Sequence, residues 1–370
     1  MSEGLLPAGF HDLVFPEAGI QEDIVYKISK FFEGYGYAKV LPPVMEFEET
    51  LLTGAGNSLA NKTFRVMDPV SHEMMGVRTD ITVQVARIAK TRLKDIPLPI
   101  RLSYSGDVFR VKGEGLYAER QFTQAGIELV GVDSAQADAE IIIVTLGALS
   151  KLGIKDLCVD FTVPGFVEEV LKEIKLSDEE KQNLMASVKR KDVAAITKIA
   201  KGKADILIDL AQPSVGIETL KKIKLPKNTK NMVEKLREVI SLVEHEFRGA
   251  HISIDLLESV KFEYHSGIGF SIFSKKAKEE LGRGGRYFID SKITGVGATL
   301  YVNELFRIMK KPEQKEKVFV PLGSSINRVS DLREEGFITI WALEDYKDCK
   351  KEAIRLGCKY VLEGGRLISL

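Results

Sequence analysis

The segment from Gly106 to Gly131 carries the side chains that are best arranged to do chemistry. Arg110 lies near the end of one predicted strand, and Arg120 begins the next one after a polar loop that contains glycine. Side chains alternate between the two faces of a strand, so Gln124 and Glu128 share one face and lie about 13 Å apart. A face with an amide, a glycine and a carboxylate is a poor core. It predicts a polar pocket for a small cationic or amine-bearing ligand.

Common catalytic signatures are absent from the sequence. It contains no Walker A loop, no Gly-x-Ser-x-Gly elbow and no His-Glu-x-x-His motif. The glycine-rich run 282–285 lacks Rossmann-type spacing, and residue type alone favours a tight turn that enters a strand. We predict no metal and no cofactor, because the three cysteines are scattered and the histidines show no metal-ligand spacing. The histidines are His11, His72, His245, His251 and His265.

The composition is that of a folded protein without a strong charge. Of its 370 residues, 53 are Lys or Arg and 53 are Asp or Glu, while 44% are hydrophobic. This excludes a disordered chain and argues against a broad nucleic-acid surface, which draws on excess Lys and Arg. No apolar run reaches the roughly 20 residues of a membrane helix, and the start of the chain lacks the features of a signal peptide. We therefore expect a cytoplasmic protein that binds neither nucleic acid nor membranes.

The elements around the polar segment predict an antiparallel α+β sheet flanked by helices, because helices mix with strands that are mostly adjacent in sequence. The pattern predicts a helix over 20–32, a hairpin over 63–77 and a helix over 135–152. It also predicts two separate strands, Pro99–Tyr104 and Val108–Val111, before the strand that carries the polar face.

Two other regions differ from this core in composition. Residues from about 166 to 250 are rich in Lys, Glu, Leu and Ile, which predicts a helical insertion with a capping box at Ser177. After a charged linker over 311–316, a βαβαβ order predicts a small parallel sheet. The predicted organisation is a core over 1–316, which contains the insertion, and a small C-terminal α/β domain over 317–370.

Five stretches occur in an order that resembles one known family. They are Gly34–Glu46, Arg78–Thr82, Phe109–Gly131, Tyr264–Gly267 and Gly284–Tyr287. They resemble five motifs of the histidyl-tRNA synthetases, a class II synthetase family. In the same order, these are motif 1, the Arg-Pro-Glu-x-Thr motif, motif 2, the Tyr-Tyr-Thr-Gly motif and the Gly-Gly-Arg-Tyr-Asp motif. The match covers about Gly9 to Met309. It implies a class II synthetase-like fold and a homodimer formed through the motif 1-like region.

Departures from these motifs argue against synthetase activity. By resemblance, Ala118 replaces a phosphate-facing arginine and Val260 replaces the histidine-specific catalytic arginine. Glu304 replaces the motif 3 arginine that packs against ATP. Adenylation needs positive charge near the α-phosphate, and such groups typically supply several kcal/mol. Lys112 would compensate only by reaching the same point, and a lysine does not reproduce a bidentate arginine. Residues 317–370 are also fewer than the family's anticodon-binding domain requires.

The residues that contact histidine in the synthetases are better preserved. The resemblance carries over a histidine-binding set of Asp80, Thr82, Arg110, Gln124, Glu128, Tyr264 and His265. It implies that Asp80 contacts the ligand's α-amino group and that Glu128 and Tyr264 lie near the imidazole, whereas His265 stands where the family has a second tyrosine. A carboxylate that accepts from an imidazole N–H suits histidine. The alternative is that these residues only form structural hydrogen bonds and that the pocket binds no ligand.

A synthetase-like chain without these arginines is similar to a paralogous family, the regulatory subunits of ATP phosphoribosyltransferase. The resemblance implies a non-catalytic subunit in a hetero-oligomer with the short-form catalytic subunit, which joins ATP to phosphoribosyl pyrophosphate in the first step of histidine biosynthesis. It also implies free histidine as the feedback effector. Two alternatives remain: an active histidyl-tRNA synthetase or free-standing amino-acid ligase, and an interaction module without a ligand.

Overall fold

The computed structural model describes residues 4–52, 59–113, 115–174, 176–200, 205–211, 220, 225–258, 265–310 and 315–370. The chain divides into two compact units, Met1–Met309 and Lys310–Leu370. The described helices are α1 (Glu17–Gly34), α2 (Glu48–Leu51), α3 (Thr82–Thr91), α4 (Ala135–Lys151), α5 (Phe166–Lys172), α6 (Asp178–Lys189), α7 (Val193–Ala200), α8 (Asp205–Leu210), α9 (Lys230–Glu246), α10 (Val302–Ile308), α11 (Ile326–Glu334) and α12 (Cys349–Arg355).

The described strands of the first unit are β1 (Ala38–Lys39), β2 (Met45–Phe47), β3 (Arg65–Met67), β4 (Met74–Val77), β5 (Ile100–Phe109), β6 (Gln121–Val130), β7 (Leu157–Thr162), β8 (His251–Ile254), β9 (His265–Ser274), β10 (Gly282–Phe288) and β11 (Thr294–Tyr301). Those of the second unit are β12 (Lys317–Val320), β13 (Ile338–Trp341), β14 (Tyr360–Glu363) and β15 (Arg366–Ser369).

An eight-stranded sheet forms the centre of the first unit, in the order β1-β5-β6-β11-β10-β9-β7-β8. Its pairs are antiparallel except at the two ends, where β1–β5 and β7–β8 are parallel. The predicted α+β class is thus confirmed. The expected break between two strands at residues 105–107 was wrong. Gly106 and Asp107 pair with Gln124 and Thr123 of β6, so the ladder runs without interruption and β5 is one strand.

The two faces of the sheet are covered by different helices. Ala125, Ile127 and Leu129 of β6 belong to a large core that also includes the buried residues of α1 and α4. The opposite face packs Tyr104 of β5 against Ile81 and other buried residues of the α3 region. Burying one large apolar side chain contributes about 1.5–3 kcal/mol, so both faces hold the sheet in place. The alternation predicted for β6 therefore separates an apolar face from a polar one.

The predicted insertion consists of helices α5 to α9 in its described part. α6 begins with the expected capping box, because Ser177 and Glu180 each accept a hydrogen bond from the other's backbone N–H. α9 buries Val233, Leu236, Val239, Ile240 and Val243 along one stripe. None of the helices that the structure describes is both long and apolar enough to cross a bilayer.

The second unit contains a four-stranded sheet in the order β13-β12-β14-β15. β12 is parallel to both of its neighbours, as the βαβαβ pattern predicted. The expectation of a purely parallel sheet was wrong, since β15 pairs antiparallel with β14. Gly364 and Gly365, both with positive φ (53° and 78°), make the tight turn between these strands.

The glycine run 282–285 lies inside β10, so the expected turn was also wrong. A Cβ on Gly284 would lie 2.2 Å from the carbonyl oxygen of Gly297, and one on Gly282 would lie 2.5 Å from that of Thr299. These glycines therefore permit a close approach between β10 and β11 rather than a change of chain direction.

Candidate ligand-binding site

The floor of the candidate site is the face of β6 that carries Gln124, Gly126 and Glu128. Both polar side chains on it are fully buried. Gly126 lies under Tyr104 of β5, whose hydroxyl oxygen would be 2.4 Å from a Cβ at that position. Gly297 of β11 lies under Glu128 in the same way, because a Cβ there would be 1.8 Å from Oε2. The glycines thus let neighbouring side chains lie flat across the sheet, which makes room for a buried polar face.

Asp80, Thr82 and Gln124 form one end of the site. Gln124 Nε2 donates to Asp80 Oδ2 at 3.2 Å, and Gln124 Oε1 accepts from the backbone N–H of Ile81 at 3.2 Å. The backbone N–H of Thr82 donates to Asp80 Oδ1 at 2.8 Å, at the start of α3. The carboxylate of Asp80 is therefore held by a helix start and by an amide side chain. Asp80 is only half-buried and can accept a further hydrogen bond from a ligand.

Glu128 forms the other end of the site. Its Oε2 accepts from the hydroxyl of Tyr287 at 2.8 Å, whereas its Oε1 has no hydrogen-bond partner among the described residues. Burial raises the pKa of Glu128 to about 8, although the hydrogen bond from Tyr287 opposes this shift. A buried polar atom without a partner is unusual in a folded protein and points to a ligand or a water molecule.

The hydroxyl of Tyr104 links α3 to β11. It lies 3.1 Å from Thr82 Oγ1 and 2.6 Å from Thr299 Oγ1. Tyr104 and Thr82 are both buried, so this hydrogen-bond chain is shielded from solvent. It holds α3 and strands β5 and β11 at a fixed spacing around the polar face.

Arg110 lies farther along the same face, beyond Gln124. Its guanidinium carbon is 4.8 Å from the centre of the Phe122 ring, and Phe122 precedes Gln124 by two positions on β6. Arg110 also lines a separate cavity of about 140 Å³. The guanidinium group therefore marks the boundary between the candidate site and this neighbouring cavity.

The neighbouring cavity has an acidic wall. Its charged lining consists of the guanidinium groups of Arg110 and Arg283 and the carboxyl groups of Glu119, Glu279, Glu280 and Glu304. Glu304, at the position of the motif 3 arginine, forms an ion pair with Arg307, which also contacts Glu119. Burial raises the pKa of Glu304, although Arg307 opposes this. A wall with more carboxylates than cations does not attract a triphosphate.

The loop between β5 and β6 is attached to this wall. The backbone N–H of Leu116 donates to Glu279 Oε1, and the Arg307 guanidinium lies 3.8 Å from the centre of the Tyr117 ring. Arg120, at the end of the loop, lies between the rings of Phe10 and Phe64 at 5.1 and 4.9 Å. The positive charge of Arg120 is thus stabilised by cation–π contacts with both rings.

The structure brings together part of the predicted set. Asp80, Thr82 and Gln124 are in contact, Glu128 lies on the same face, and Arg110 lies beyond them. The backbone of His265 begins β9 and pairs with Tyr287, whereas Tyr264 lies outside the described residues. The prediction missed Tyr104, which reaches the site through the strand order, and it assigned no role to Tyr287, although Tyr287 ends the motif-like stretch Gly284–Tyr287. The available signal was that motif for Tyr287, whereas the pairing of Tyr104 with Gly126 is visible only in the ladder.

Known proteins identify the family. A family model described as histidyl-tRNA synthetase matches residues 9–305. An ATP phosphoribosyltransferase regulatory subunit from Rhodospirillum centenum is 39% identical, over 99% of this chain and 96% of that protein. The chain belongs to the ATP phosphoribosyltransferase regulatory subunit family. As a member of this family it is a non-catalytic subunit of a transferase complex in histidine biosynthesis, and the predicted role as a regulatory subunit of ATP phosphoribosyltransferase is confirmed.

Solved structures of similar fold agree with this assignment. One is described as an ATP phosphoribosyltransferase regulatory subunit/histidyl-tRNA synthetase from Bacillus halodurans C, with a TM-score of 0.80, 20% identity and coverage of 95% of this chain and 96% of that one. Another belongs to an ATP phosphoribosyl transferase (HisG:HisZ) complex from Thermotoga maritima, with a TM-score of 0.61, 19% identity and coverage of 76% and 97%. At these identities the structures support the fold, and the predicted class II synthetase-like architecture is confirmed.

Proposed function

We propose that this regulatory subunit assembles with the short-form catalytic subunit in the cytoplasm and makes the complex sensitive to free histidine, bound between Asp80 and Glu128. Family membership supports the assembly, and the Thermotoga maritima complex contains a chain of this fold. The observation that carries the histidine is Glu128, whose buried Oε1 has no partner in the described chain. Leaving such an acceptor unsatisfied costs about 1–3 kcal/mol, which a ligand N–H would recover.

The site offers a partner for each polar group of histidine. Asp80 provides a half-buried carboxylate for the α-ammonium group, and Glu128 provides a buried one for an imidazole N–H. Arg110 lies where a guanidinium group can pair with the α-carboxylate. The three groups differ in burial. Glu128 is the buried one, and it is the group that distinguishes the imidazole of histidine from other side chains.

Feedback requires that histidine bind one arrangement of the complex more tightly than another. Couplings of this kind are typically about 1–3 kcal/mol, which corresponds to about 5–150-fold in affinity. A ligand with equal affinity for both arrangements would not inhibit, however tightly it bound. The site is therefore expected to bind histidine differently in the inhibited and active complexes.

Replacing Glu128 by glutamine tests this proposal. The substitution keeps the shape but removes the carboxylate, so we expect histidine affinity to fall by at least about tenfold. Calorimetry would measure binding to the isolated chain and to the complex, and assays of the complex would measure inhibition. Activation of the catalytic subunit should remain near the native level.

The matched control is Glu33→Gln, whose side chain is 66% exposed on α1 and should leave histidine binding unchanged. A native chain and complex that both fail to bind histidine would remove the sensor role. Loss of activation together with inhibition in Glu128→Gln would mean that the residue is structural.

No described feature favours the alternative of a synthetase or ligase. The motif 3 position is a carboxylate, Glu304, paired with Arg307 in an acidic wall. Histidine-dependent exchange of pyrophosphate into ATP is accordingly expected to be absent.

We also propose that the chain self-associates through the motif 1-like region. The small sheet β2-β4-β3 begins at the end of that region and exposes an apolar face. Phe47, Met75 and Val66 are cross-strand neighbours on it, and Phe47 and Val66 are each 42% exposed. Leu41, within the motif 1-like stretch, is 75% exposed. Exposed apolar side chains on this sheet and in the motif 1-like stretch fit a second copy of the chain.

A further inference from the structure

We infer that the cavity beyond Arg110 binds a small aliphatic amine in its cationic form, held by the carboxyl groups of Glu279 and Glu280. By resemblance, the wall of this cavity includes Glu304 at the position of the arginine that packs against ATP in the synthetases. The inference goes beyond the proposed function, because it concerns a different ligand and does not depend on the histidine site.

Glu280 has one carboxyl oxygen with a partner and one without. Its Oε2 accepts from Arg283 Nε at 2.9 Å and from a second N–H of the same guanidinium group. Its Oε1 is buried and has no hydrogen-bond partner among the described residues, and the side chain is only 11% exposed. Buried acceptors in folded proteins nearly always have a partner, so Oε1 is the point at which a donor of the ligand is expected.

Glu279, the preceding residue, adds a second carboxyl group to the same wall. Its Oε1 accepts from the backbone N–H of Leu116, and none of the ion pairs of this wall, within the described chain, involves it. Burial raises the pKa of Glu304, Arg307 opposes this, and the charges of Glu119 and Glu279 raise the pKa further. The carboxyl groups of the wall are therefore close enough to repel one another.

The charges around the cavity leave an excess of one negative charge when all groups are ionised. The lining has four carboxyl and two guanidinium groups, and Arg307, outside the lining, pairs with two of the carboxyl groups. Four carboxylates thus stand against three guanidinium groups. An alkylammonium group resembles the lysine side chain, whose pKa is about 10.4, so it is charged at neutral pH and balances this excess.

The surroundings favour an amine over a metal ion or a quaternary ammonium ion. Among the residues that the structure describes, no three His, Cys, Asp or Glu side chains are placed to hold a metal ion together. Each aromatic ring of the lining already has a guanidinium group near its centre: Arg110 at 4.8 Å from Phe122, Arg283 at 5.7 Å from Tyr301 and Arg307 at 3.8 Å from Tyr117. A ligand cation is therefore expected to bind through N–H donors to the carboxyl groups.

The cavity has room for a short alkyl chain beside the ammonium group. It measures about 140 Å³, whereas a site for one water molecule takes about 10–15 Å³. Leu116, Phe122 and Tyr301 supply apolar surface for the chain. n-Butylamine is accordingly a suitable probe.

The experiment is calorimetry of n-butylamine binding to the full chain at neutral pH, native and with Glu280→Gln. We expect the native chain to bind and the variant to lose about tenfold or more in affinity, because a hydrogen bond to a charged group is lost. Tetramethylammonium has the charge but no N–H donor, so it should bind at least about tenfold more weakly than n-butylamine. The matched control is Glu352→Gln, because Glu352 is likewise 11% exposed and paired with an arginine three positions on, Arg355, but lies in the second unit.

The outcomes separate this inference from the proposed function. A native chain that does not bind n-butylamine would overturn it, as would an unchanged affinity in Glu280→Gln or equal binding of tetramethylammonium. If Glu280→Gln does not fold, Glu279→Gln takes its place, and native affinity in that variant would contradict the inference. Histidine binding is measured on the same samples. A chain that binds the amine but not histidine supports this inference and removes only the sensor role.

Discussion

Glu128 has properties that would destabilise the fold if its role were purely structural. It is fully buried, only one of its oxygens has a partner in the described chain, and burial raises its pKa to about 8. An ionised carboxylate in such a place costs several kcal/mol, so the empty site favours the neutral acid. Buried groups with strongly shifted pKa values concentrate at functional sites, and Glu128 fits that pattern.

The shifted pKa predicts how stability depends on pH. Between about pH 4.5 and about pH 8 the folded chain holds a proton on Glu128 that the unfolded chain releases. The free energy of unfolding should therefore fall with rising pH by up to about 1.4 kcal/mol per pH unit from this group. Glu128→Gln lacks this contribution. Urea denaturation at about pH 4.5 and at about pH 8 should therefore show that the free energy of unfolding of the variant, relative to that of the native chain, increases with pH. Equal pH slopes for the two proteins would contradict the shifted pKa.

At the residue scale the sequence predicted one strand of the site but not its neighbours. Alternation alone placed Gln124 and Glu128 on one face, and their burial agrees. Tyr287 is separated from Glu128 by 159 positions and meets it only because β11 lies between their strands. No local pattern encodes this strand order, since it depends on long-range pairing.

At the scale of elements, β10 connects the site to the helices on the other side of the sheet. Adjacent side chains on a strand point to opposite faces, so Tyr287 faces Glu128 while Arg286 faces α4. Arg286 Nε donates to Asp138 Oδ1 at 3.0 Å, and its NH1 donates to the Val132 carbonyl at 2.7 Å. Arg286 and Asp138 are almost completely buried, which makes this ion pair part of the core.

Breaking that ion pair should destabilise the first unit strongly. Asp138→Asn removes the buried charge partner of the Arg286 guanidinium, and we expect a loss of about 3–5 kcal/mol in the free energy of unfolding. The matched control is Asp133→Asn, because Asp133 also approaches Arg286, at 3.4 Å, but is 58% exposed. Its loss should stay within about 1 kcal/mol. Urea denaturation measures both, and similar losses would show that burial does not determine the strength of this contact.

The sequence predicted elements correctly where apolar spacing continued over many residues, and it failed at short or glycine-rich segments. The helices over 17–34 and 135–151 agree with their apolar spacing. β5 was divided in two because Gly106 and Asp107 are typical turn residues, yet pairing with β6 overrides their preference. β15 was missed because four residues after two glycines give too little pattern to separate a strand from a tail.

At the scale of the whole molecule, the order of the motifs predicted the architecture better than any single element did. Each motif is short, but the relative order of five constrains the fold of the first unit. The proposed self-association belongs to this scale, because the exposed face of β2-β4-β3 has no covering element in the described chain. Stable protein interfaces bury about 1,200–2,000 Å² in total, so the face would form part of a larger contact.

A charge on this face should weaken the dimer. Phe47→Glu would bury a carboxylate against Met75 and Val66 of the small sheet and their symmetry mates. We expect the dissociation constant measured by analytical ultracentrifugation to rise at least about tenfold. Leu343→Glu is the control, because Leu343 is 91% exposed in the second unit and lies outside the proposed contact. A native chain that sediments as a monomer at all concentrations would remove the proposal.

The acidic wall beside Arg110 has a consequence for what the complex senses. By resemblance, Glu304 takes the position of the arginine that packs against ATP in the synthetases, and the carboxylates that line the cavity with it repel phosphate groups. Histidine bound as we propose would then meet no competition from adenine nucleotides, whose levels follow the energy charge of the cell. The proposed histidine site would then report amino-acid supply independently of nucleotide levels.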